Sequence, residues 1–322
     1  MSIYSYSFSD IPVKTKHFFY RVIGYLLISL SLAQLLTTAV SFSQGDRTFW
    51  NFLLSAAISA ATGLYLVFRS GNAVQLKKRY LFLLTTLCWL VICVFSALPL
   101  YLSIPELSVT DAWFETVSAI TTTGSTVLSG LDTMPKGILF WRALLQWIGG
   151  IGIIVMAIAI LPALKIGGMK LFKTESSDIS EKILPRSSSL STYILLVYLA
   201  ISCAAAFSYF AGGMNGFDAI THAMTSAATG GFSNYDASFG YFNDKPWLLW
   251  LASIWMTMAA LPFVLFVGMA KGDKWALLRD PQVKAFIGIV VTVTLMLTLY
   301  QVQHHDRPWL NALTHSLFNV VS

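Results

Sequence analysis

Long apolar runs alternate along the chain with short polar breaks. Seven of them, at 21–41, 49–68, 80–102, 137–164, 190–212, 247–270 and 283–301, are near the ~20 residues that carry a helix across a bilayer. Between the third and fourth runs lies a shorter, more polar segment at 111–121, and between the fifth and sixth another at 216–227. At ~1.5 Å per residue such a segment reaches ~16 Å, about half of a hydrocarbon core. Each ends in a Thr/Gly string, Thr121-Thr122-Thr123-Gly124-Ser125 in one and Ala227-Ala228-Thr229-Gly230-Gly231 in the other. A third short segment begins at Pro308-Trp309.

The order span, half-helix, turn, span therefore occurs twice, over 80–164 and 190–270, and starts again near 283. Both full units begin and end on the same side, which predicts parallel repeats about an axis along the membrane normal. The chain divides on this reading into an N-terminal two-span part (1–79), a first pore-loop unit (80–189), a second (190–282) and the start of a third (283–322). The expected fold is an all-α polytopic membrane protein. Its repeats place re-entrant filter loops around that common axis.

Composition agrees with the pattern. The 322 residues are 56% hydrophobic and 11% charged, with a mean hydropathy of +0.68. No soluble domain has that balance. The net charge of +6 lies in loops rather than along a basic face, so it speaks for topology and not for nucleic acid. With the N-terminus in the cytoplasm, sixteen of the 21 lysines and arginines fall inside, many in the loops 165–186 and 271–284. Acidic residues lean to the outer face, where they would gather cations. The first run is too long for a signal-peptide core and is expected to stay as an anchor. Cys88, Cys93 and Cys203 lie inside apolar runs without ligand spacing and are expected to be small buried hydrophobes.

The half-helices suit a cation. Asp111 and Asp218 are expected to cap their helix starts and to complement the positive end of the dipole. The carbonyl ends then point into the membrane, where their partial negative charge favours a positive ion. A turn leaving backbone carbonyls free at membrane depth is tolerable only if buried in protein or lining a watery path. Glycines 124, 230 and 231 allow positive φ or close approach, and threonine hydroxyls add oxygen ligands.

Three strings carry a family resemblance: Thr121-Thr-Thr-Gly-Ser-Thr-Val, Leu145-Gln-Trp-Ile-Gly-Gly-Ile-Gly-Ile and Ala228-Thr-Gly-Gly-Phe-Ser. With them the chain resembles, over essentially its whole length, the TrkH potassium-uptake family, part of the superfamily of K⁺ transporters built from four pore-loop units. The resemblance implies a pseudo-fourfold pore, incomplete here, and inward K⁺ movement at the bacterial inner membrane. It implies K⁺ binding by Thr122, Thr123, Gly124 and Ser125 in unit one and by Ala228, Thr229, Gly230 and Gly231 in unit two. The ion is placed at Thr122, Thr123, Thr229 and Gly230. It further implies a homodimer in membrane lipid and a cytosolic nucleotide-binding regulator of TrkA type. No enzymatic activity and no organic cofactor are implied. Phe318-Asn-Val-Val-Ser322 resembles Phe114-Glu-Thr-Val-Ser118, so the chain stops short of a third filter and is expected not to transport by itself. The alternative is a non-transporting membrane component that associates with a full-length copy.

Other features have two readings each. Arg142 is expected at the outer interface, snorkelling beside Trp141 and Trp147; the competing reading is a charge tethered near the pore. Gly149, Gly150 and Gly152 mark either small-residue packing between spans or a hinge or close approach to a pore helix. Glu115 binds either backbone N–H groups behind the filter or its own first turn. His304-His305-Asp306 would be needed for a membrane enzyme, but adjacent side chains diverge, and an exposed loop is expected. His222 and His315 are expected to be structural.

Overall fold

The computed structural model describes residues 12–71, 78–164 and 187–322, and every regular element among them is helical. The helices of eight residues or more are α1 (Val13–Ser43), α2 (Phe49–Phe68), α3 (Lys78–Ser103), α4 (Val109–Ile120), α5 (Lys136–Leu164), α6 (Ser187–Ala211), α7 (Gly216–Ala227), α8 (Pro246–Ala260), α9 (Phe263–Ala270), α10 (Pro281–His305) and α11 (Trp309–Val321). Five of them, α1, α2, α3, α6 and α10, are long and apolar enough to cross a membrane, and the bent pair α8–α9 adds a sixth when counted as one span. The seventh expected span corresponds to α5, which is 29 residues long. The basic loop 165–186 lies outside the described residues.

The run at 247–270 is not one straight span. It breaks into α8 and α9, bent by 89°. Pro262 causes the break. Proline offers no N–H and its ring crowds the preceding turn, so the residue before it is driven out of the helical region. Leu261 accordingly has ψ 152.

Two compact units divide the chain. One comprises 1–117 and 134–141, the other 118–133 and 142–322. In the first, α1 and α2 form a close antiparallel hairpin. A Cβ on Gly24 would come 2.8 Å from the Gly63 carbonyl, and one on Gly63 would come 2.8 Å from that of Gly24. Paired glycines let two backbones approach where lipid supplies no hydrophobic drive. Polar side chains tie α3 to its neighbours: Gln34 donates to the Phe95 carbonyl at 3.1 Å, Asn51 to that of Leu102 at 2.9 Å, and the Trp141 indole to that of Ser96 at 3.1 Å.

In the second unit, α7 packs against α6, and α11 lies against α8 and α10. Tyr209, Ala223, Phe239, Leu248 and Ala252 form one buried cluster, which Phe318 of α11 joins. Trp250 reaches Thr314 at 3.0 Å. Of the α10 window that could span a membrane, 17% is buried, as fits a helix whose surface meets lipid or further protein.

Candidate functional site

The two short segments form 12-residue helices, α4 and α7, as their length predicts. The acids do not cap them in the expected way. Asn215 is the N-cap of α7, accepting from the Asp218 N–H at 2.9 Å, and its amide donates to Asp218 Oδ2 at 2.6 Å. Ser108 plays the same part for α4. It accepts from the Asp111 N–H at 3.0 Å and donates to Asp111 Oδ2 at 2.7 Å. The acids sit three residues further in and answer the cap, as in a capping box. Their charge still lies in the first turn, where the dipole favours it.

Both helices end in the same motif. The Thr122 N–H donates to the Ala119 carbonyl at 3.0 Å and the Thr123 N–H to Ser118 at 2.9 Å. In the second loop the Thr229 N–H donates to Ser226 at 3.1 Å and the Gly230 N–H to Thr225 at 2.9 Å. These are Schellman ends, whose central residue must be left-handed. The chain uses glycine there after α1 and α6, at Gly45 (φ 72) and Gly213 (φ 95). After α4 and α7 it uses threonine, Thr122 at φ 56 and Thr229 at φ 52. A β-branched residue in this region costs about 1–2 kcal/mol. Two residues on, Gly124 and Gly231 both have φ 78. The backbone therefore pairs Thr122 with Thr229 and Gly124 with Gly231. Laying the two strings end to end pairs Gly124 with Gly230, one residue out of register.

The loops meet within the second unit. A Cβ on Gly124 would overlap the Gly230 carbonyl oxygen, so only glycine allows that approach. A Cβ on Gly230 would in turn lie 2.6 Å from the Gln146 side chain. Thr121 and Thr123 share a hydroxyl hydrogen bond of 2.7 Å.

Helix α5 supports both loops. Gly149 packs against the carbonyl of Ile120, the last residue of α4, so closely that a Cβ would clash. Gly150 faces the backbone of Ala228, with its Cβ position 3.1 Å from the Ala228 Cα. The two glycines thus serve close approach to the ends of α4 and α7. Gln146, for which the sequence suggested no role, is fully buried. Its Nε2 donates to the Gly230 carbonyl at 3.0 Å, and its Oε1 accepts from the Phe232 N–H at 3.1 Å. The signal in the sequence was a lone uncharged polar residue in an apolar run, one turn before paired glycines.

Arg142 does not snorkel. It is 1% exposed, and its neighbour Trp141 is fully buried. The guanidinium donates to the Ser233 carbonyl at 3.0 Å and to Thr126 Oγ1 at 3.1 Å, and it lies 4.1 Å from the centre of the Phe232 ring. The charge is held by the segments that follow both Thr/Gly strings, so the interfacial, snorkelling reading is corrected.

A buried polar cluster fixes the strand after the second loop. Asp218, 3% exposed, accepts from Asn234 Nδ2 at 2.7 Å and from the Tyr235 hydroxyl at 2.5 Å. His222 Nδ1 lies 2.9 Å from the Asp218 carbonyl and Nε2 3.0 Å from Ser233 Oγ. A carbonyl can only accept, so Nδ1 carries the proton and Nε2 accepts from the serine. Beyond it, Asp236 takes the N–H groups of Gly130 (2.9 Å) and Leu131 (3.1 Å). The Asp236 N–H bonds Asp132 at 3.1 Å. Asp132 and Asp236 thus tie together the segments that follow the two Thr/Gly strings.

Glu115 is fully buried on α4. Cys93 is buried, but Cys203 is exposed on α6, contrary to expectation. A thiol is apolar enough to face lipid. His304 and His305 close α10, and among the described residues no group of His, Cys, Asp and Glu is placed to hold a metal ion.

Comparison with known proteins gives one consistent result. A family described as TrkH, cation transport protein, matches residues 48–316. The Trk system potassium uptake protein TrkI of Halomonas elongata is 46% identical over 92% of this chain and 60% of its own length. Escherichia coli K12 TrkH is 36% identical over 94% of this chain and 64% of its own. The crystal structure of the potassium transporter TrkH from Vibrio parahaemolyticus matches with a TM-score of 0.86 at 34% identity, covering 97% of this chain and 64% of that one. The chain thus spans under two thirds of the relatives it matches.

Proposed function

The chain belongs to the TrkH family of cation transport proteins, and we propose that it supplies the first two filter loops of a K⁺-uptake transporter. The observation that carries this reading is the shared backbone of the two loops. Each follows a half-helix, each sets threonine and then glycine left-handed, and the two abut at Gly124 and Gly230. Glycine would serve the helix end better, so the threonines answer some other demand. Oxygen ligands for a hard, singly charged cation are the fitting one.

On this reading K⁺ sheds its water and takes oxygens from Thr122, Thr123, Gly124 and Ser125 and from Ala228, Thr229, Gly230 and Gly231. The main positions are Thr122, Thr123, Thr229 and Gly230. The negative ends of α4 and α7 add to the attraction. The units at 80–189 and 190–282, and the one that starts at 283, belong to a pseudo-fourfold ring, with 1–79 as an added hairpin. The protein sits in a bacterial inner membrane with its N-terminus inside, as the positive-inside bias requires. It works as a homodimer gated by a TrkA-type regulator, for which the basic loops 165–186 and 271–284 offer an inner face. Two filter loops do not close a ring of four, so the 322 residues by themselves do not conduct.

The test is K⁺-limited growth of a bacterial strain without its own uptake systems. The 322-residue chain should not rescue growth. A chimera in which the remaining length of the Halomonas TrkI follows this chain should. Rescue by the chain alone would overturn the requirement for further units, and failure of a well-expressed chimera would count against the filter reading.

A further inference from the structure

We infer that Gln146 is a positioning residue that locks the second filter loop by mimicking a neighbouring strand. The primary amide bonds the loop in both directions, giving a hydrogen to the Gly230 carbonyl at 3.0 Å and taking one from the Phe232 N–H at 3.1 Å. Those two groups belong to the peptide planes on either side of Gly231. Glycine, at φ 78 here, is the residue freest to turn. With both flanking planes pinned by one rigid amide, neither can rotate without breaking a buried hydrogen bond. Leaving a buried carbonyl or N–H without its partner is the costly side of such a change.

The rest of the site is built around this amide. Gln146 is fully buried, so water does not compete for it. Gly230 has no side chain, and a Cβ there would come 2.6–2.8 Å from the amide atoms. One helical turn earlier on α5, Arg142 continues the grip by donating to the Ser233 carbonyl. One turn later, Gly150 brings α5 against Ala228. A stripe of α5 thus holds the loop at Ala228, Gly230, Phe232 and Ser233. The clamp also sets which way the Gly230 carbonyl points, toward the seam with Gly124. The consequence for ions rests on the filter reading above; the clamp itself does not.

The experiment is hydrogen–deuterium exchange by mass spectrometry on the purified 322-residue chain in lipid nanodiscs, comparing the native protein with Gln146→Met and Gln146→Glu. Methionine fills the same space and cannot make either bond. Glutamate keeps the acceptor for Phe232 N–H, and its carboxyl can donate to Gly230 only when it is neutral. Exchange in a peptide covering 228–236 should rise about tenfold or more for Gln146→Met. It should rise less for Gln146→Glu, and the α6 peptides should keep native rates in both. Native exchange over 228–236 in Gln146→Met would overturn the clamp and leave Gln146 a space-filler. Should Gln146→Met loosen α6 as well, Gln146→Leu, which also makes neither bond, decides: native-like protection at 228–236 in that variant overturns the clamp, and selective loss there supports it. No transport is read, so failure of the clamp and failure of the K⁺ reading are separate results.

Discussion

Gly124 and Gly230 meet backbone to backbone, with the Gly230 carbonyl occupying the space that a Cβ on Gly124 would need. Gly231 shares the φ of 78 found at Gly124, but a Cβ there would meet nothing within 4 Å. The two glycines therefore separate strain from space. Gly231→Ala should cost only the left-handed penalty, about 1–2 kcal/mol. Gly124→Ala should cost that plus the displacement of the second loop. Thermal unfolding of the two variants in detergent should show the larger loss at Gly124.

The threonines make an opposite case. Thr229→Gly and Thr122→Gly should each relieve a strained left-handed residue and leave the protein as stable as the native form or up to about 1 kcal/mol more so. If the hydroxyls and their fixed backbone serve the ion, the same variants in the TrkI chimera should lower K⁺ uptake. The paired measurement is the midpoint of unfolding against the uptake rate, and the two should move in opposite directions.

Asp218 gathers Asn215, Asn234 and Tyr235 around one buried carboxylate. Asp218→Asn keeps the shape but removes the charge and puts an NH₂ where an acceptor stood. Hydrogen bonds to charged groups contribute about 1.5–3 kcal/mol each, so a loss of at least 2 kcal/mol is expected. Tyr235→Phe removes one of these bonds and should cost less. Chemical denaturation of both variants checks the order.

Gly149→Ala tests the support of the first loop. Its Cβ would collide with the Ile120 carbonyl at the end of α4, so α5 must shift away. Gly288 on α10 has open space around its Cβ position and serves as the control. Alanine should destabilise by about 2 kcal/mol or more at 149, and should be neutral or slightly stabilising at 288. Thermal unfolding of the two variants side by side reads the difference.

Much of this fold was legible because length and apolar pattern suffice for a membrane helix. The half-helices stood out for the same reason, being too short to cross. What escaped was contact at long range. Arg142 has the local surroundings of an interfacial residue, and only its bond to Ser233, 91 residues on, shows that it is buried. Gln146 lies inside a string whose glycines drew notice, yet its partners are 84 and 86 residues away. The caps were misplaced by three residues because serine, asparagine and aspartate cap about equally well, so residue type alone does not choose between Ser108 and Asp111 or between Asn215 and Asp218. The break at Leu261-Pro262 was visible in the letters, but proline is common in membrane helices, and its geometry decided between a kink and two helices. The register of the two loops needed φ angles, since Thr-Gly-Gly can be laid on Thr-Thr-Gly in more than one way.

Whether the paired Thr/Gly loops form a K⁺ filter is read from K⁺ uptake into depleted cells expressing the TrkI chimera, native and Gly124→Ala, at matched amounts of membrane-inserted protein. Saturable uptake is expected with the native chimera, and loss of it with Gly124→Ala. Full uptake by Gly124→Ala would contradict a filter at this site.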